Sequence, residues 1–337
     1  MFRVVLGTAI SGGIIYFCGL IGNLLSFIIF TQKDVRRVST GQLFLFLTIF
    51  NTIHMYTLLV EYFDNIYNLK AYKNNIFFRC RFQPYIQNLS RILSSYIAFT
   101  ICIDRFIRSK YPIKSKLICT INNVYKIILL YIIVFSLLLS FYFCPLMTVK
   151  NVSRNRKCTS ELNSTYDLFI TNIWPPIRLI LACLIPTIIM IVTSAKMFNN
   201  MKQSKRRIYN DTTQIRTLSL SSVPPISPSS VKRIVRRLNQ IDSMLILIMI
   251  SNVFTYIVTQ VPFHLYIIIG TYKQIIDPTN NLTYLIRTIL LMWSSLYFGI
   301  GFYLYCISST FFRKKFLCSL KLFKMKLSKW HPSFFIQ

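Results

Sequence analysis

Asp104-Arg105-Phe106 closes a long, mostly apolar run. An acid beside an arginine at such a boundary neutralises locally and leaves a planar guanidinium to bond elsewhere. Cys80 lies 105 − 80 = 25 residues upstream. At about 1.5 Å per helical residue that is roughly 37 Å, one bilayer with its interfaces. Glu61 stands inside another apolar run, and Arg91, Arg178, Arg287 and His264 stand inside others. An ionisable group there is expensive unless paired, so these are candidate ligand-binding residues. Glu61 pairing with one of the arginines as structural glue is the competing reading, and the two are compatible. No enzyme constellation accompanies them. The nine cysteines form no CxxC pair, His54, His264 and His331 lie far apart, acids are few, and there is no phosphate loop. No metal, cofactor or catalytic activity is expected, and most of the cysteines read as small apolar residues inside helices.

The elements that must position these groups are membrane spans. Of 337 residues 54% are hydrophobic and 14% charged, against about 25% charged in soluble domains. A spanning helix needs roughly 20 mostly apolar residues. Seven stretches qualify: about 7–31, 40–63, 85–106, 123–147, 170–198, 241–269 and 282–308. The fourth and sixth are the clearest. The third is the weakest, because Gln87, Asn88 and Arg91 lie in one half of it, which turns it toward the bundle or a wet cavity. The first is too long for a secretory leader and shows no small-residue cleavage site. The segment before it is short, so no large ligand-binding ectodomain is expected in this sequence. The expected architecture is all-α, a seven-helix membrane bundle over residues 1–308.

The net charge of +30 raises nucleic-acid binding. The basic residues, however, sit between apolar runs, as the positive-inside rule expects of cytoplasmic loops. Lys33, Arg36 and Arg37 follow span one; Arg108, Lys110, Lys114 and Lys116 follow span three; ten bases from Lys196 to Arg237 follow span five; Arg313, Lys314 and Lys315 follow span seven. The other loops hold Asp64, Glu161, Asp167 and Asp277. The bias puts the N-terminus outside and the C-terminus in the cytoplasm of a plasma-membrane protein; Lys150, Arg154, Arg156 and Lys157 blunt it. Sequons at Asn151, Asn163 and Asn281 fall in the outer loops. The segment about 199–232 is basic and Ser/Pro-rich and reads as a disordered cytoplasmic loop. Residues 309–337 begin with interleaved apolar and basic residues, an amphipathic helix for an anionic leaflet. Cys318 there is a palmitoylation candidate, with an ordinary buried thiol as the alternative.

Together these residues resemble the rhodopsin-like G-protein-coupled receptors. Asp104-Arg105-Phe106 with Lys110-Tyr111-Pro112 is similar to the Asp-Arg-Tyr signature and second inner loop. Gly22-Asn23 is similar to the Gly-Asn pair of helix one, Pro186 and Pro262 to the kink prolines of helices five and six, and Tyr305 with Phe312-Arg313 to the end of helix seven and the start of an eighth helix. The resemblance covers nearly the whole chain in motif order. It implies a disulfide between Cys80 and Cys158, with Cys144 an alternative partner. It also implies a resting bond between Arg105 and Asp242 that breaks to admit a heterotrimeric G protein; Asp242 offsetting Arg236 and Arg237 is the alternative.

The departures matter too. Asn51 stands where the family has an aspartate, Gly301-Phe302 where it has Asn-Pro, and Thr259-Gln260-Val261-Pro262 where it has Cys-Trp-x-Pro. The buried sodium site of many relatives is therefore not expected, and Gln260 and Tyr305 are expected to switch differently. These changes resemble divergent invertebrate peptide receptors of the FMRFamide type. Gln87 stands where amine receptors carry an aspartate, which argues against a monoamine. The expected ligand is an extracellular neuropeptide; an orphan chemoreceptor for a non-peptide ligand and a multi-span transporter or channel are the alternatives. A transporter would show repeats and broken helices, and no repeat is present.

Overall fold

The computed structural model describes residues 2–67, 75, 77–144, 147–152, 155–160, 165–200, 250–270, 281–308, 312–314 and 316–318. Seven long helices form one bundle: α1 Phe2–Phe30, α2 Ser39–Tyr67, α3 Gln83–Lys110, α4 Ile121–Leu138, α5 Thr165–Asn200, α6 Ile250–Gly270 and α7 Asn281–Ser308. All but α3 are long and apolar enough to cross a membrane. The bundle supplies what α3 lacks. Ile92, Leu93, Ser94, Ser95, Ile97 and Ala98 of α3 are all buried, so its polar residues meet protein rather than lipid.

The lipid-facing surface follows helical periodicity. Ile10, Ile14, Phe17, Ile21, Leu24 and Ile28 form an exposed stripe on α1, and α4 buries only Val124, Ile128 and Phe135. Apolar exposure on this scale is unusual for a water-soluble monomer; this is a multi-pass membrane protein.

Helices α1 and α7 approach backbone to backbone. A Cβ on Gly299 would stand 2.7 Å from the Gly19 Cα, so only glycine fits. Beside this contact Asn23 Nδ2 donates to the Phe298 carbonyl at 3.0 Å, buried between the same helices.

Helix α4 is shorter than expected. It starts at a Thr120 cap, whose side chain accepts from the Asn123 N–H, and ends at Leu138, not near Met147. A single tight turn, Ser140–Phe143, follows, and Cys144 adopts ψ 133°. Pro145 forces this, since a proline disfavours helix at the residue before it. The apolar residues that extended the expectation form an aromatic cluster instead: Phe141 packs on Trp174 at 4.8 Å and on Phe169 at 5.1 Å.

Beyond that turn lies an antiparallel hairpin, β1 Met147–Val152 with β2 Asn155–Ser160, pairing Val149 with Cys158. Cys158 is disulfide-bonded to Cys80, with Cα atoms 5.5 Å apart, and Cys144 is a free thiol. Asn151 thus lies on a strand, and Asn281 is the first residue of α7. Asn163, the loop about 201–232, Asp242 and the remaining tail lie outside the described residues. Helix α2 runs four residues past Phe63, so Asp64 is helical and buried, ion-paired with Arg79 at 3.4 Å. After α7 the chain turns back: Phe312 is buried against Phe30 and Tyr305, and Phe316 packs on Phe302 at 5.2 Å. Arg313, Lys314 and the Cys318 thiol are exposed.

Candidate functional site

Helix α3 carries a candidate site at each end. At the end that bears the disulfide, a cavity of about 820 Å³ opens between α1, α2, α3, α5, α6 and α7. Each helix contributes a face at helical spacing: Leu58, Glu61 and Tyr62; Gln87, Asn88 and Arg91; Phe263, Tyr266, Ile267 and Gly270; Arg287, Thr288, Leu291 and Met292. Helix α5 adds Arg178.

Five of the seven candidate ligand residues therefore line one cavity: Glu61, Gln87, Arg91, Arg178 and Arg287. Gln87 Nε2 donates to Glu61 Oε2 at 3.3 Å. Among the described residues no ion pair within 4.0 Å joins Glu61 to an arginine. Arg91 is 4% exposed and lies over the Phe263 ring at 5.4 Å.

Gln260 and His264 do not line the cavity. His264 is one residue on from Phe263, so its side chain leaves the helix about 100° away; it is buried beside Phe263. Gln260 sits a turn deeper and donates from Nε2 to the Ser294 carbonyl at 2.6 Å, clamping α6 to α7. Trp293 Nε1 donates to the Val258 carbonyl at 2.8 Å across the same pair of helices.

At the opposite end of α3, Asp104 is 5% exposed. It accepts from Ser39 Oγ at 2.9 Å and Thr40 Oγ1 at 2.5 Å, and from Arg108 Nε at 3.0 Å. The carboxylate faces the first turn of α2, where the helix dipole favours an anion. Arg108 Nη2 also donates to Ser39 Oγ at 2.7 Å and to the Cys119 carbonyl at 3.3 Å. Burial and then the Asp104 carboxylate push the Cys119 thiol up to about 11. Arg105 beside it is partly buried, as is Phe106, whose ring lies 5.8 Å from the Lys110 ammonium. Arg108, Ser39 and Thr40 were missed in the sequence, although the i,i+4 spacing of Asp104 and Arg108 is a standard helix pairing signal. Tyr305 is buried edge-on to Phe44 at 5.2 Å.

Between the ends lies a polar layer. Asn51 is buried with its Oδ1 lacking a partner among the described residues. His54 is fully buried, its Nδ1 3.1 Å from the Gln87 carbonyl and its ring 4.1 Å from Phe298.

Pro186 and Tyr256 join the helices at this depth. Pro186 has no N–H, so the Ala182 carbonyl loses the helical donor four residues on. The helix widens into a π-turn at Ile180–Leu184 just before it. The Tyr256 hydroxyl of α6 donates to that carbonyl and lies 2.9 Å from Ser95 Oγ of α3. The Tyr256 ring packs edge-on to Tyr297 of α7 at 4.8 Å. Pro262, in α6, lines neither site.

A search of curated proteins finds no match to the chain. The family model described as 7 transmembrane receptor (rhodopsin family) matches residues 22–298, a span that includes both ends of α3, the hairpin disulfide and the Asn23–Phe298 bond between α1 and α7. With seven helices in one bundle, a cavity at one end of α3 and Asp104-Arg105-Phe106 at the other, the chain belongs to the rhodopsin family of seven-transmembrane receptors.

Proposed function

We propose that this receptor binds an extracellular neuropeptide in the cavity beside the disulfide and activates a heterotrimeric G protein at the Arg105 end, across the plasma membrane. One observation carries the reading: a single helix presents Gln87 and Arg91 to an open cavity of about 820 Å³ and Arg105 at its other end. Arg91 and Arg105 are 105 − 91 = 14 positions apart, roughly 21 Å of helix. The cavity is large enough for several side chains, and Glu61 with the arginines offers both signs of charge.

Charge supports the orientation. At the Arg105 end Lys33, Arg36, Arg37, Lys110, Lys114, Lys116, Arg313 and Lys314 are exposed, which is the cytoplasmic signature. Asn151 and Asn281 lie at the disulfide end, where glycosylation requires them. Palmitoylation of Cys318, whose thiol is exposed, belongs to this reading. Arg105 bonds Asp242 at rest in this reading, and activation breaks that bond.

The test is calcium and cAMP signalling in cells expressing the chain, against a panel of neuropeptides. A response abolished by Arg105→Ala at unchanged surface level supports the reading. Silence across the panel with good surface expression overturns the peptide assignment. Basal signalling unchanged in Asp242→Ala at equal expression overturns the resting bond.

A further inference from the structure

Among the described residues the cavity has more positive charge than its lining neutralises. Three arginines line it against one glutamate, and no other charged side chain of the described residues does. The arginines lie within electrostatic reach of one another, since Arg178 acts on Arg91 and Arg287 acts on Arg178. Glu61 acts on Arg91, yet its hydrogen bond is to Gln87. The Nε atoms of Arg91 and Arg178 are buried and lack a hydrogen-bond partner in the described structure.

Like charges at the floor of an apolar bundle are costly, and a buried ion is normally paired. The Arg91 guanidinium carbon lies over the Phe263 ring, 5.4 Å from its centroid. A guanidinium held over a ring keeps the N–H edge of its planar fork for a planar acceptor. That edge matches an oxyanion that accepts two parallel N–H bonds.

We infer that Arg91 and Arg178 form a recognition site for an oxyanion of the ligand, a carboxylate or a phosphate, at the floor of the cavity. The inference deepens the ligand-receptor reading and rests on it. Glu61 on α2, bonded to Gln87 one turn from Arg91 on α3, is left to read a donor group elsewhere on the same ligand. An amidated peptide with only basic side chains does not fit this floor; a peptide with a free C-terminal carboxylate or an acidic side chain does.

The test uses the full chain, purified into nanodiscs, and reads its thermal unfolding midpoint against small probes. Hippurate supplies a carboxylate, hippuramide is its neutral match, phenethylamine supplies a cation, and inorganic phosphate supplies the other oxyanion. At about 10 mM, tenfold above a millimolar Kd, hippurate or phosphate raises the midpoint saturably, and hippuramide and phenethylamine do not. Which anion acts identifies the source of the oxyanion. Arg91→Gln and Arg178→Gln each weaken the apparent affinity for the active anion roughly 10- to 100-fold, the range for a charge-assisted hydrogen bond. Arg91→Lys, which keeps the charge and loses the fork, falls between. Equal stabilisation by hippuramide, no shift with either anion, or an undiminished anion effect in both glutamine variants overturns the inference. Should the glutamine variants fail to fold, the wild-type comparison of hippurate with hippuramide decides alone. The receptor reading is measured separately, by ligand-free nucleotide exchange on purified G protein with Arg105→Ala as control. An anion panel that fails while this exchange persists removes the oxyanion site and leaves the receptor standing.

Discussion

Tyr256→Phe removes one oxygen atom from the centre of the bundle, and its cost follows from counting protons. The Tyr256 hydroxyl has one proton, which goes to the Ala182 carbonyl because that acceptor has none to offer in return. Ser95 Oγ must then be the donor in its 2.9 Å contact with Tyr256, and it shares that proton with the Arg91 carbonyl at 3.0 Å. In the variant Ser95 keeps Arg91, whereas the Ala182 carbonyl loses its donor. A buried polar group left unsatisfied costs about 1–3 kcal/mol, so Tyr256→Phe is expected to cost about 2 kcal/mol. Ser95→Ala, which leaves the Ala182 bond intact, is expected to cost under about 1 kcal/mol. The assay is the unfolding midpoint of purified receptor in nanodiscs at one scan rate, since such unfolding is often irreversible. The expected fall for Tyr256→Phe is roughly 3–6 °C. Pro186→Ala supplies an internal check. It restores a backbone N–H for the Ala182 carbonyl, so Tyr256→Phe should cost less than half as much in that background. A Tyr256→Phe midpoint equal to wild type, or an undiminished loss in the Pro186→Ala background, would refute the proton assignment.

Three further outcomes follow from the same geometry. Gly299→Ala places a methyl 2.7 Å from the Gly19 Cα and is expected to cost about 1–3 kcal/mol by overpacking; an unchanged unfolding midpoint contradicts the backbone contact. Cys119, with its thiol pushed up to about 11, is protonated at pH 8 and should alkylate slowly. Asp104→Asn removes a carboxylate that holds the thiol protonated, so labelling of Cys119, read by peptide mass spectrometry at pH 8, should quicken; equal rates sink the electrostatic argument. Asn51 supplies no charge to the buried layer, so replacing potassium with sodium should leave wild-type thermostability unchanged. Asn51→Asp should make it sodium-dependent, and a sodium shift in wild type removes that reading.

What the sequence revealed depended on the kind of signal. The seven spans were legible because lipid exposure demands long apolar runs, and α3 was flagged as weak for the reason it needs its neighbours. Hydropathy is blind to backbone chemistry, so Phe141-Tyr142-Phe143 extended the expected α4 past its end at Leu138, into a turn that closes at Cys144 before Pro145. Glu61, Gln87, Arg91, Arg178 and Arg287 converge on the cavity because charged groups in apolar runs must face protein. The same argument failed for His264 and Gln260, since burial does not say which buried face a residue takes; a rotation of one residue carries His264 from the cavity into packing. The hairpin at Met147–Ser160 had no strong alternation to announce it. Tyr256 was invisible for another reason. An aromatic residue in an apolar helix looks like core until the carbonyl freed by a distant proline, Pro186, is placed beside it.

The position of Tyr256 relative to Arg91 bears on how the two ends of α3 communicate. Arg91 faces the cavity, and its own carbonyl accepts from Ser95 one turn below. Ser95 touches Tyr256, and Tyr256 holds the Ala182 carbonyl of α5. Backbone and hydroxyl contacts therefore run without a gap from the cavity floor to the point where α3, α5 and α6 meet. Continuity alone does not establish coupling. What makes this junction a hinge point is its proton count: two hydroxyl protons serve three acceptors, so Ser95 already divides one proton between α3 and α6. An α6 movement that withdraws Tyr256 costs Ser95 little, because the Arg91 carbonyl takes the proton fully, and the energetic barrier falls on the Ala182 carbonyl. The Tyr256–Ala182 bond is thus one contact that a movement of α6 away from α5 would break, and in the proposed reading a ligand that shifts α5 through Arg178 acts on the helix that supplies its acceptor.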